Sequence, residues 1–122
     1  MMIRLLKHTR RPDISFSRNG KIRISASIVR ALSIRPGDIL NIAVEKGEYL
    51  LFATPAPDFG RHRAQCYPTK KGSRNFCANS TDLCTALLDN LGITSPKATV
   101  LTGEPLIIEN TKYVPIITRR PL

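Results

Sequence analysis

The chain begins its regular pattern with short segments in which apolar and polar residues alternate. Residues 14–17 and 21–24 each alternate with a period of two, which is typical of half-buried strands. Between them stands Arg18-Asn19-Gly20. Asn-Gly between alternating segments favours a tight hairpin, because both residue types tolerate a positive φ. The pattern therefore predicts a two-stranded hairpin over residues 14–24.

The period then changes to that of a helix. Ile24, Ile28 and Leu32 fall on one helical stripe, and a serine at the start of the stripe offers a hydroxyl for capping the first turn. Residues 34–38 contain proline and glycine, which end a helix. We therefore expect a helix of about two turns, as such short stripes give.

A second hairpin is predicted after this helix. Residues 40–44 alternate again, residues 45–48 form a turn, and residues 49–52 return as a strand. Residues 1–58 are thus expected to form one unit, with a basic segment at its start. Residues 59–72 are polar and basic without periodicity, which predicts a linker or long loop.

The same order recurs in weaker form over residues 73–122. The expected helix begins near Ser80 and carries Leu83 and Leu87 on one stripe. The expected strands cover residues 98–101, 106–108 and 113–117, with a turn at Gly103-Glu104 between the first two and an edge position favoured by Pro115. We interpret this as an internal repeat. The alternative is that two β-rich halves share a Leu-x-x-Leu helix by chance.

The amino-acid composition and net charge indicate what class of protein this is and what kind of partner it binds. The 122 residues are 42% hydrophobic and 23% charged, which is typical of a folded domain. Lys and Arg number 19 against 9 Asp and Glu, so the net charge is +10. Such a charge favours a polyanion, nucleic acid before an acidic membrane surface. No apolar run reaches the roughly 20 residues of a membrane helix, so we expect a cytoplasmic protein without a membrane partner.

The charge is strongly segregated along the chain. Residues 1–37 hold nine Lys or Arg against Asp13 alone, and residues 61–81 hold five without any acid. Residues 82–122 carry four of each sign. Because a solvated surface usually mixes its signs, this segregation indicates a binding face in the first half.

Catalytic and metal chemistry find little support in the sequence. Cys66, Cys77 and Cys84 lack the paired close spacing of a zinc site, so reduced thiols are the simpler interpretation. A glycine-rich phosphate loop and a Ser/His/Asp spacing are both missing from the sequence. We therefore expect no enzyme activity, no metal and no cofactor.

One motif is more specific than the composition. It consists of Gly20-Lys21-Ile22-Arg23-Ile24, then Ile28-x-Arg30-Ala31-Leu32-x-Ile34-x-Pro36-Gly37-Asp38, then Leu40-x-Ile42-x-Val44. This motif resembles the AbrB/MazE/SpoVT family of swapped-hairpin DNA-binding domains over residues 12–54, with a faded copy over residues 73–118. The resemblance implies a β-rich α+β barrel built from two repeats, each with short strands and one short helix.

The family includes transition-state regulators and the antitoxin halves of toxin–antitoxin pairs. The resemblance thus implies duplex DNA as partner, a homodimer or an intramolecular pseudo-dimer, and for an antitoxin a toxin as protein partner. It also implies DNA contacts from the basic residues after the hairpin glycine and on the short helix, which are Lys21 and Arg30. Asp89 takes the position of Arg30 in the second copy. We therefore expect the first repeat to bind and the second to complete the barrel.

The chain departs from the family pattern at three positions of the first repeat. Ser25 stands where the family commonly has proline, Val29 where many members have arginine, and Ser33 where a glycine usually ends the helix. The substitutions leave the fold expectation intact but weaken the inference about DNA contacts.

Residue chemistry and resemblance together predict a DNA-binding regulator or antitoxin-like module. The expected DNA-binding residues are Arg10, Arg11, Arg18, Lys21, Arg23 and Arg30. The alternative is a protein-interaction or assembly module that uses the same barrel without DNA, its basic face meeting an acidic protein. RNA binding is a weaker alternative, because the tyrosines and phenylalanines do not cluster as a stacking platform.

Overall fold

The computed structural model describes residues 14–56 and 63–117. The strands are β1 (Ile14–Ser17), β2 (Lys21–Ile24), β3 (Ile39–Glu45), β4 (Glu48–Thr54), β5 (Tyr67–Pro68), β6 (Phe76–Asn79), β7 (Lys97–Val100), β8 (Leu106–Ile108) and β9 (Thr111–Ile116). The helices are α1 (Ala26–Leu32) and α2 (Thr81–Asn90). The predicted strand-rich α+β class is confirmed.

The described strands form two antiparallel sheets. The five-stranded sheet has the order β5-β6-β2-β1-β7, and the four-stranded sheet has the order β3-β4-β9-β8. These described strands do not close into one barrel, so the predicted swapped-hairpin barrel is not confirmed. Each sheet instead combines strands from both halves of the chain.

The pairing across the two halves occurs at three places. Strand β2 pairs with β6, with Ile22 opposite Ala78. Strand β1 pairs with β7. Strand β4 pairs with β9, and Leu51 lies directly opposite Val114. Since both residues of this last pair are almost completely buried, the two halves share one core.

The helices begin at equivalent serines that act differently. Ser25 follows β2 and Ser80 follows β6, each in an extended conformation. The hydroxyl of Ser80 accepts a hydrogen bond of 3.1 Å from the Leu83 N–H and caps α2. The hydroxyl of Ser25 instead lies 2.9 Å from that of Ser27. The predicted cap is therefore made only in the second half.

The helices end in the same way. The Ile34 N–H donates to the Val29 carbonyl, and the Ile93 N–H donates to the Leu88 carbonyl, both at 2.9 Å. Ser33 has a left-handed φ of 56° at the end of α1, a conformation that favours glycine. A serine there costs about 1 kcal/mol.

The outer hairpins of the four-stranded sheet have matching turns. Lys46 and Gly47 link β3 to β4, and Glu109 and Asn110 link β8 to β9; all four have positive φ values. Two such residues in succession form a type I′ turn, which matches the twist of the strands.

The turn expected at Gly103-Glu104 is wrong. Residues 97–100 pair with β1, and β8 pairs with β9 instead. Gly103 runs beside β9, where its N–H donates to the Pro115 carbonyl at 2.9 Å. The true turn was missed because Glu109-Asn110 lacks the glycine that usually marks a hairpin.

Part of the predicted linker belongs to the folded core. The Cys66 N–H donates to the Asp38 carbonyl at 2.7 Å, and the Leu40 N–H donates to the Ala64 carbonyl at 3.0 Å. Ala64 and Cys66 are buried, and β5 extends the five-stranded sheet. The described residues 63–68 therefore join both sheets.

The largest fully buried side chains come from six of the described elements and from one loop residue. They are Phe16, Ile22, Ile24, Leu40, Leu51, Leu88, Val114, Cys66 and Cys84. Each large aliphatic side chain so buried contributes about 1.5–3 kcal/mol. Among the described residues, no helix has the length and apolarity needed to span a membrane.

The shared core predicts that residues 1–58 alone do not form a folded monomer. In that fragment β2 loses β6, and β4 loses β9, so the inward side chains Ile22 and Leu51 are exposed to water. We expect aggregation, or dimerisation that replaces the missing half. Sedimentation equilibrium and amide NMR dispersion at micromolar concentration measure this. A monomer with well-dispersed resonances would show that the first half folds independently.

Candidate nucleic-acid interface

Strand alternation sets the direction of the basic side chains of β2. Ile22 and Ile24 are buried, while Lys21 and Arg23 between them are exposed. Successive residues of a strand point to opposite sides of a sheet. Lys21 and Arg23 therefore lie together on the solvent side of the five-stranded sheet.

We define the outer face as the positions of this sheet that alternate with its core-facing residues; all of them except Ser15, which is buried, are at least partly exposed. It comprises Ser15, Ser17, Lys21, Arg23, Tyr67, Cys77, Asn79, Lys97 and Thr99. Three of these nine positions are cationic, and none has a carboxylate. The described outer face is therefore positively charged without internal neutralisation.

Both halves contribute to the outer face. Cys77 lies opposite Arg23 and Asn79 opposite Lys21 across the β2–β6 pairing. Lys97 lies opposite Ser17 on β7. The sequence did not assign Asn79 and Lys97 to the site. The alternation of apolar and polar residues around Asn79 and Lys97 is visible in the sequence. Which residues lie beside them, however, depends on strand pairing between distant parts of the chain.

A basic loop borders the same sheet between β5 and β6. Lys70, Lys71 and Arg74 are all exposed there. The loop is held to the first half by Asn75, whose Oδ1 accepts a hydrogen bond of 2.9 Å from the Ala26 N–H at the start of α1. This hydrogen bond therefore fixes the loop that carries the three cations next to the end of β2.

Arg18 makes contacts with the second half that the sequence did not predict. Its Nη2 donates to the Ile93 carbonyl at 2.6 Å and lies 3.0 Å from the Asp89 carboxylate. Its own backbone N–H donates to the Pro96 carbonyl at 2.8 Å. The guanidinium thus anchors the first hairpin to the end of α2. The DNA contact expected of Arg18 stays a prediction beside this structural role.

Arg30 lies on α1 and not on the sheet. It is exposed in the last turn of that helix. The Lys112 Nζ donates to the Ser33 hydroxyl at 2.7 Å, so a second cation lies at the end of the same helix. Arg10 and Arg11 lie outside the described residues.

The turn of the first hairpin packs closely against α2. Gly20 has a φ of +100°, and a Cβ at this position would lie 2.9 Å from the Thr81 Oγ1. The Ser80 N–H donates to the Gly20 carbonyl at 2.8 Å. Only glycine satisfies both the conformation and the space. This contact fixes the turn from which Lys21 and Arg23 follow.

A polar pocket beside this turn does not add to the positive field. Its lining includes Asn19, Arg63, Asn79 and Asp82. Arg63 forms an ion pair with Asp82, and both side chains are largely exposed. The Arg63 charge is therefore locally compensated, in contrast with Lys21 and Arg23.

The three cysteines have different environments. Burial, together with the nearby Asp38 carboxylate, raises the pKa of the Cys66 thiol from 9.0 to about 12. Burial also raises the pKa of Cys84. Cys77 is partly exposed on the outer face. All three are free thiols. The described residues contain no cluster of His, Cys, Asp or Glu that could hold a metal ion.

In comparisons with known protein families, curated proteins and solved structures, no match to this chain was found.

These environments predict one reactive thiol per native chain. The thiolate is the nucleophile, and a raised pKa lowers the thiolate fraction of Cys66 and Cys84 at neutral pH. Cys77 should therefore react with a maleimide at least tenfold faster than the other two. Peptide mass mapping after brief labelling measures the order. Comparable labelling rates of the three cysteines under native conditions would contradict the burial of Cys66 and Cys84. Labelling in urea, where all three thiols are exposed, is the control.

Proposed function

We propose that this protein is a DNA-binding regulator or antitoxin-like module that holds duplex DNA against the outer face. The observation that carries this proposal is the position of Lys21, Arg23 and Lys97 on one sheet surface without a carboxylate among its described positions. Two other described arginines, Arg18 and Arg63, are instead paired with carboxylates.

The arrangement of the halves supports two AbrB-like repeats within one chain. The N-terminal hairpin strand β1 pairs with β7 of the second half, and residues 64–66, in the segment between the proposed repeats, pair beside β3 of the first. Pairing of a first-half hairpin strand with the second half is one feature of interleaved hairpins. We propose that the chain is an intramolecular pseudo-dimer in which residues 1–58 and 73–122 are the repeats.

The chemistry of the outer face suits a duplex. Ammonium and guanidinium groups neutralise phosphates and release counterions, which supplies most non-specific affinity. An arginine can also donate two hydrogen bonds to a guanine edge. Arg23 has Ser15 and Cys77 as cross-strand neighbours. Neither neighbour is an acid that would hold its guanidinium back from DNA.

Other cations extend this proposed site. Lys70, Lys71 and Arg74 border the sheet, and Arg30 belongs to the helix that follows β2. Arg10 and Arg11 precede β1 in the sequence and stay in the proposed set. In this proposal both halves supply phosphate contacts, whereas the sequence had assigned binding to the first repeat alone.

The central prediction concerns Arg23→Ala. The side chain is exposed and opposite small neighbours, so the free energy of unfolding should change by no more than about 0.5 kcal/mol. Affinity for mixed-sequence duplex DNA should fall by about 1–3 kcal/mol if the guanidinium contacts bases. For the wild type, log K should fall with log salt at a slope of about −4 to −5, as expected for about 4–6 neutralised phosphates. Fluorescence anisotropy at several salt concentrations measures the affinity loss of the variant and the salt slope of the wild type.

The matched control is Lys46→Asn. Lys46 is exposed in the turn between β3 and β4 of the other sheet, and asparagine tolerates its φ of 52°. This variant removes the same charge from outside the outer face, so it should lose little affinity. Equal losses for the two variants would mean that charge acts only in aggregate. A flat salt response would favour the assembly-module alternative, in which the basic face meets an acidic protein.

A further inference from the structure

Exposed apolar side chains are concentrated at one corner of the molecule. The described chain has seven large hydrophobic side chains that are exposed, and five lie within residues 101–117. These five are Leu101, Leu106, Ile107, Ile108 and Ile117. The Ile117 N–H donates to the Leu101 carbonyl at 2.9 Å, which joins the ends of this segment. The five side chains therefore surround β8 and the end of β9.

Among the described strands, β8 is an edge strand with one unpaired side. Its partner there is β9, with Ile108 facing Thr111 and Leu106 facing Tyr113. In a two-residue hairpin the closing pair is hydrogen-bonded, and the alternate residue directs its N–H and C=O outward. Ile107 is that alternate residue. Its backbone groups and its 66% exposed side chain are both available at the edge.

The usual protection of an edge is weak here. Exposed edges are commonly blocked by a charged side chain or a bulge, but all three residues of β8 are apolar. Pro105 stands immediately before the strand and removes one donor there. Leu106, Ile107 and Ile108 therefore retain an apolar surface that a further strand can cover.

The distribution of charge along the chain favours a second copy of this chain as the further strand that pairs with β8. The positive excess of the chain lies in residues 1–37 and 61–81, whereas residues 97–117 carry two basic and two acidic side chains. A second copy can therefore approach β8 without bringing the strongly basic segments together. The charges of the described residues at this corner balance, so these residues offer no net charge that would select an acidic or a basic partner.

We propose that two copies of the chain associate by antiparallel pairing of their β8 strands about a two-fold axis at Ile107. Ile107 exchanges both backbone hydrogen bonds with Ile107 of the second copy, and Leu106 packs opposite Ile108. The four-stranded sheet becomes an eight-stranded one, and the outer face of the other sheet keeps its described surface. Three-residue strands bury little area, so the dimer is weak, with a dissociation constant on the order of tens of micromolar.

The test uses the full chain without nucleic acid, so its result is independent of the proposed DNA binding. Sedimentation equilibrium over about 1–300 µM brackets a weak dissociation constant. In Ile107→Lys two ammonium groups meet at the axis, and the dissociation constant should rise at least tenfold. The matched control is Val44→Lys: Val44 is 59% exposed and also precedes a two-residue turn, on β3. This control should dimerise like the wild type.

Two results would overturn the proposal. One is a wild-type chain that remains monomeric across the concentration range. The other is an equal effect of the two lysine substitutions. Circular dichroism establishes that each variant folds. If Ile107→Lys does not fold, Ile107→Thr decides instead, because threonine keeps the β-branched shape and removes apolar surface; its dissociation constant should rise severalfold, and an unchanged value would contradict β8 pairing.

Discussion

The structure depends on antiparallel pairing between strands of the two halves. Strand β2 requires β6, and β4 requires β9, because Ile22 and Leu51 are buried only when the second half supplies Ala78 and Val114 across from them. Such pairing closes long loops, whose entropic cost is recovered only when the apolar faces meet. The contacts of Arg18 and Gly20 with α2 also stabilise the association of the two halves, because both residues join the first hairpin to the second half.

The proposed binding surface is a consequence of this pairing. Once the inward residues of β2 and β6 fill the core, alternation leaves Lys21 and Arg23 on the opposite side with Cys77 and Asn79 beside them. No single segment of the chain holds this arrangement. The same principle applies at the other sheet, where closing the hairpin of β8 and β9 leaves Ile107 at an unpaired edge. One constraint thus produces a basic surface on one sheet and an apolar edge on the other.

Local pattern was enough to predict the elements of the first half. The period-two segments around Arg18-Asn19-Gly20 and the stripe through Ile28 and Leu32 correspond to β1, β2 and α1. Features that depend on distant contacts were missed. Ala64 and Cys66 stand in a segment without clear periodicity yet are buried, because β3 and β6 lie on either side of it. The anchoring role of Arg18 was missed because its partner Asp89 is remote in sequence. The turn at Glu109-Asn110 carries a weak local signal.

Native-state hydrogen exchange tests the central claim most directly, namely that the two halves fold as one unit. Amides in the β2–β6 and β4–β9 pairings, including those of Ile22, Ala78, Leu51 and Val114, should exchange only through global unfolding. Their opening free energies should therefore agree with one another and with the free energy of unfolding from denaturant titration. A lower opening free energy for these four amides than for amides of the β3–β4 pairing, which bond within the first half, would show that the second half opens while the first stays folded, and would contradict the account.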